Sequence, residues 1–114
     1  MDLEEVAAGA AEAEGTVWTL EGSEDLNVNL LRFAGGGVGG HVNEEVDVIM
    51  VGVAGLGIVT VGEEEHRLSA GKLVFVPRGE WRSVRSATNE LAYLSVHRRR
   101  GPIRIGRRGQ ASGG

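Results

Sequence analysis

Few side chains in this sequence are equipped for chemistry. It has three histidines and no cysteine. Without a thiol there is no disulfide, no thiolate ligand and no sulfur nucleophile, so any metal site must rest on histidine with carboxylates or amides. His41 is the best placed of the three, because a glycine-rich run, residues 34–40 (AGGGVGG), delivers it and Asn43, Glu45 and Asp47 follow within six positions. An imidazole titrating near neutrality needs only one oriented carboxylate for acid–base work, and Glu45 or Asp47 would provide it. His66 follows three glutamates and reads as a solvated strand residue, while His97 runs into three arginines and reads as a surface residue.

Other chemistries lack their motifs. The chain has no Gly-x-Ser-x-Gly elbow, no phosphate-cradling glycine loop ending in Lys-Ser or Lys-Thr, and no His-Glu-x-x-His. The AGGGVGG run is not a dinucleotide fingerprint, since a strand pattern follows it where a helix is required.

Charge is split between the two ends of the sequence. Residues 1–48 carry eleven carboxylates against Arg32 alone, and residues 98–108 carry six arginines. The basic end can pair with the acidic body, in the same chain or a second one, or attract nucleic acid. No aromatics are interleaved with these arginines and the pI is about 5.4, so nucleic acid is not an expected partner. Residues 1–15 are acidic and alanine-rich, unlike a basic-then-apolar leader, and no long apolar span occurs, which predicts a soluble cytoplasmic protein without membrane contact.

The elements that must position these residues are mostly strands. Residues 2–14 predict a short, weakly amphipathic helix with acids near its start. From Thr16 the texture is β, and residues 26–33 (LNVNLLRF) alternate as a half-buried strand should. The spacing then predicts a glycine loop at 34–40, strands at 46–53 and 57–61 around Ala54-Gly55-Leu56, and a tight turn at Gly62-Glu63. A strand ends at Leu68, another spans 72–76, Pro77-Arg78-Gly79 turns, and strands at 80–85 and 90–97 flank a break at 86–89. About eight short strands with glycine turns predict an all-β antiparallel barrel or sandwich. The expected organisation is an acidic segment at 1–15, a barrel at 16–100, and an Arg/Gly-rich tail at 101–114 that is partly disordered apart from an edge-strand candidate, Pro102-Ile103-Arg104-Ile105.

The glycines and the mid-chain proline resemble those of the cupin family over residues 25–97. That family's first motif runs from a glycine through His-x-His and a Glu to a second glycine. Anchored on Gly55, His41, Asn43 and Val48 fall at the His, His and Glu positions. The second motif matches at Gly71, Pro77 and Gly79, then has Arg82 at its histidine and Ser86 at its asparagine. The resemblance implies a cupin-type double-stranded β-helix, or jelly-roll barrel, and a homodimer. The turn-forming residues are kept and most ligand positions are changed.

Those changes redirect the chemistry. Val48 has no lone pair to give, Asn43 offers a neutral amide oxygen, and Arg82 brings a permanent cation to the site. The implied pocket of His41, Asn43, Val48, Met50 and Arg82 is therefore expected to be metal-free and to bind a small, possibly anionic molecule as a binding or sensing module without catalysis. The alternatives are a metal-dependent enzyme of dioxygenase or isomerase type, its divalent transition metal held by His41, Asn43 and Asp47, and a structural protein with no ligand. Arg82 equally admits an internal ion pair with Glu80 or Asp47, or an outward orientation. If Val48 faces inward, alternation sends Met50, Gly52 and Ala54 inward and Ile49, Val51 and Val53 outward, onto a second subunit or the N-terminal segment.

Overall fold

Two long strands carry the architecture. In the computed structural model, which describes residues 1–10 and 13–99, the order is α1 (Leu3–Gly9), β1 (Gly15–Thr19), β2 (Leu26–Phe33), β3 (Gly37–Val42), β4 (Val48–Val61), β5 (Glu64–Ser69), β6 (Leu73–Val76) and β7 (Trp81–Arg98). Every pairing of named strands is antiparallel. One half of the barrel is β3–β7–β4–β5, using the first part of β7 and the last part of β4; the other is β1–β2–β7–β4–β6, using their remaining parts. The two halves close as a jelly-roll β barrel, as the turn spacing predicts.

The bends in β4 and β7 correct three expectations. The turn expected at residues 54–56 is a pair of bulges inside one continuous β4, where Gly55 takes φ 73°. The break expected at 86–89 is an arch within a continuous β7, bridged by Ser86 Oγ donating to Thr88 O (2.7 Å) and Leu56 N donating to Thr88 Oγ1 (3.2 Å). Strand pairing across a bend leaves turn-like residues in the sequence, which is why local pattern alone reads two strands. The bulge between Gly52 and Ala54 also overturns the inward placement of Ala54, which packs with Val53 on the outer face.

The glycine loop is a further correction. Residues 37–42 form β3, paired to β7. A side chain at Gly37 would collide with the Val84 carbonyl, and one at Gly40 would overlap the Trp81 indole. Glycine lets β3 press onto β7 here; it does not signal an unpaired chain.

Two apolar layers result. The barrel interior is filled by Phe33, Val46, Val48, Met50, Val59, Leu68, Val74, Val76, Val84, Leu91 and Tyr93. Outside, α1 lays Ala7 over Leu30, Val53 and Ala92, with Leu3 and Val6 beside them. The N-terminal segment thus covers part of the outward face, while Ile49, Leu73 and Phe75 stay exposed. The helix is shorter than expected; Asp2 Oδ1 caps it by accepting from Glu4 N (3.0 Å) and Glu5 N (3.2 Å), and packing supplies the stability that so few turns lack. Buried Arg32 fastens the segment, donating to Ala13 O (3.2 Å) and pairing with Glu90 (3.3 Å). No helix among the described residues is long and apolar enough to cross a membrane. The tail at 101–114 and its edge-strand candidate lie outside the described residues.

Candidate functional site

The site is built where β3 meets the start of β7. His41 stands directly opposite Arg82, and Val42 opposite Trp81; on the other side Arg82 pairs with Val61. Directly opposed residues project from the same face, so His41, Arg82 and Val61 share the interior side of the sheet. Depth separates them. His41 is exposed at the rim, whereas Arg82 is half-buried with its Nη1 shut off from solvent. Its charge reaches Tyr93, 2% exposed on the same strand.

Asn43 lies two residues beyond His41 and is 8% exposed. Its backbone carbonyl accepts from Gly79 N (2.7 Å), which ties the loop after β3 to the Pro77-Arg78-Gly79 turn. Its Oδ1 accepts from Glu45 N (2.9 Å) and Val46 N (3.3 Å) in an Asx turn. That double acceptance fixes the amide's orientation and leaves Nδ2 buried, with no acceptor among the described residues. The amide therefore presents donors to its surroundings.

Val48 and Met50 sit as alternation predicts, inward and almost fully buried, but within the close-packed core. Neither lines the cleft bounded by Val61, Glu63, Glu64, His66, Phe75 and Glu80. Asp47 is turned away from the interior: its Oδ1 accepts from Arg78 N (2.9 Å).

The metal set implied by the family resemblance does not fit these residues. The Asn43 oxygen is committed to two backbone N–H groups, Asp47 to a third, Val48 has no donor atom, and Arg82 puts a cation at the family's histidine-ligand position. Among the described residues no group of three His, Asp or Glu side chains is arranged to hold a metal ion. What remains, Asn43 Nδ2 and the Arg82 guanidinium, can only donate hydrogen bonds. Burial pushes the Tyr93 phenol up to about 12, against the opposing influence of the Arg82 charge, so it stays neutral and protonated at physiological pH.

Sequence reasoning brought His41, Asn43 and Arg82 to one end of the barrel and missed Tyr93. Its face depends on the arch in β7, which no local pattern reveals. The Asx turn was readable in principle, since Asn followed by polar residues before a buried valine is turn chemistry.

Comparison with known proteins follows the same outline. A family model described as "Cupin domain" matches residues 29–97. Among solved structures, the TT1209 protein from Thermus thermophilus superposes with a TM-score of 0.71 at 29% identity, covering 86% of this chain and 94% of that one. The BH2720 protein from Bacillus halodurans gives 0.73 at 17% identity, with 97% and 87% covered. A predicted oxalate decarboxylase from Thermotoga maritima gives 0.61 at 22% identity, with 66% and 67% covered. No curated protein matches the chain by sequence.

Proposed function

This chain belongs to the cupin-domain family, and from that premise we propose that its barrel is a metal-free binding or sensing module for a small oxyanion, a carboxylate in the first instance. The observation that carries the reading is the buried Asn43 Nδ2, a donor with no acceptor among the described residues, on the residue two positions past His41, which stands opposite Arg82. An unsatisfied buried donor costs about 1–3 kcal/mol, and a ligand oxygen that meets it recovers that cost. Arg82 contributes charge and a planar pair of donors suited to a carboxylate. His41, exposed at the rim, is the group a bound molecule would pass.

The donor inventory also supports binding without catalysis. A cation cannot be held by groups that only donate hydrogen bonds, and an arginine cannot act as a proton acceptor at neutral pH.

The test is a thermal-shift screen of small mono- and dicarboxylates on the wild-type chain and on Arg82→Gln, with metal content measured on untagged protein. A ligand specific to the folded state raises the melting temperature with concentration, and the Gln variant loses the rise. Stoichiometric transition metal in the purified protein, or carboxylate binding unchanged in Arg82→Gln, overturns the reading.

A further inference from the structure

A second candidate surface lies along the outer face and the open edge of β6. Opposed residues Phe75, Ile49 and Val96 form an apolar row across β6, β4 and β7 on the outer face, where α1 does not reach. Phe75 is 51% exposed and its neighbour Leu73 60%. The row runs into the cleft of about 700 Å³ at the edge of β6, whose lining includes Glu63, Glu64 and Glu80 and neither Lys nor Arg. Among the described residues β6 pairs only with β4, so its other edge faces this cleft without a strand. An apolar strip ending in carboxylates beside an open edge fits an extended segment that is both apolar and basic.

The chain carries such a segment, and the register says where it starts. Ile49 pairs with Val96 on one side and Phe75 on the other, so Arg98 and Pro77, each two residues further along, are level across β4. Two strand spacings, about 10 Å, separate them. Arg98 Nη2 donates to Glu45 O (3.0 Å), holding the end of β7 on that side. Residues 100–114 follow, with Arg100, Arg104, Arg107 and Arg108, no carboxylate side chain, and Ile103 and Ile105 two positions apart. Six extended residues reach roughly 20 Å, enough to cross the row and enter the cleft.

We propose that the C-terminal segment 100–114 docks on this face of its own chain, with Ile103 and Ile105 on the Ile49–Phe75 row and its arginines toward Glu63, Glu64 and Glu80. The charge split between the acidic body and the basic end is then an intramolecular complement. This proposal uses none of the donors assigned to anion binding, Asn43 Nδ2 and Arg82.

Hydrogen exchange of the full chain at low salt tests it, with a synthetic peptide of residues 99–114 as the unfolded reference. Residues 101–108 should exchange roughly tenfold more slowly in the chain than in the peptide. High salt, the triple variant Glu63→Gln/Glu64→Gln/Glu80→Gln, and the variant Arg107→Glu/Arg108→Glu, whose changes lie outside the barrel and spare its folding, should each remove the difference. Exchange equal to the free peptide, or protection that survives both variants, overturns the proposal. Protection that disappears on dilution also overturns it, because the occupant is then a second copy of the chain.

Discussion

Arg82 and Tyr93 lie on one strand at positions of opposite parity and both face the barrel interior. In a regular strand they would point to opposite sides. Between Ser86 and Leu91 β7 advances five residues while its partner β4 goes only from Gly57 back to Gly55, two residues, so β7 gains three. An odd gain reverses the faces. Arg82 and Val84 point inward before the arch, Leu91 and Tyr93 after it, and a permanent cation comes within electrostatic reach of a buried phenol.

That pairing predicts an alkaline limit to stability. Tyr93 ionises near 10 when unfolded and at about 12 when folded, burial being the main cause and Arg82 opposing it. The folded state therefore favours the neutral phenol, and the stabilisation is whole below pH ~10 and lost as pH rises toward ~12, a loss of roughly 2–3 kcal/mol. Tyr93 is the sole tyrosine, so phenolate absorbance reports on it alone. Denaturant melts across this window should show the loss, and Tyr93→Phe should flatten it. An anion bound at Arg82 would cancel the opposing charge, so Tyr93 should titrate higher still in its presence; a ligand that leaves the titration unmoved does not bind there.

Met50 separates packing from binding. It is 2% exposed in the interior cluster, so Met50→Ala should cost about 2–5 kcal/mol through lost burial and a residual cavity. Carboxylate affinity, measured by calorimetry under conditions where the variant is folded, should change by less than about threefold, since this side chain offers no polar contact. A large affinity loss would make Met50 part of the pocket and place the ligand deeper than Asn43.

The legibility of the sequence divides along the same line. Turns made by single residues, Gly62, Gly71 and Pro77 to Gly79, could be read because one torsion decides each, and Gly71, Pro77 and Gly79 carried the family resemblance with Gly55. Face assignments past Gly52 could not, because a bulge in β4 and the arch in β7 reset the alternation, and such irregularities depend on pairing between distant segments. The site followed this split. Arg82 and Asn43 lie before the arch and were found; Tyr93 lies after it and was not. That Asn43 turns its oxygen to the backbone and leaves its nitrogen buried is a hydrogen-bonding outcome, invisible to spacing.

Gly37 and Gly40 offer a direct check on how β3 achieves its pairing. A methyl at Gly37 meets backbone, the Val84 carbonyl, which cannot swing aside; one at Gly40 meets the Trp81 indole, a side chain 43% exposed. Gly37→Ala should destabilise by about 1–3 kcal/mol or more, and Gly40→Ala by less, with a shift in tryptophan emission as the ring moves. Equal losses with unchanged emission would mean that β3 does not press on β7 in this way.

Asn43→Asp gives the sharpest test of donor-based recognition, because it changes one function of the side chain and keeps another. The carboxylate can still accept from Glu45 N and Val46 N, so the Asx turn and the Gly79 contact to the backbone carbonyl survive. The Nδ2 donor is gone, and a negative charge stands in its place next to any incoming oxyanion. Carboxylate binding should fall at least tenfold, by about 1.4 kcal/mol or more, with the loss partly reversed at a pH low enough to protonate the new Asp. Asn43→Ala, by contrast, removes both functions and should cost stability as well, about 1 kcal/mol or more for the two backbone N–H groups it leaves without Oδ1. If the Asp variant binds carboxylates as the wild type does, the buried amide belongs to the turn alone and Arg82 must act without it.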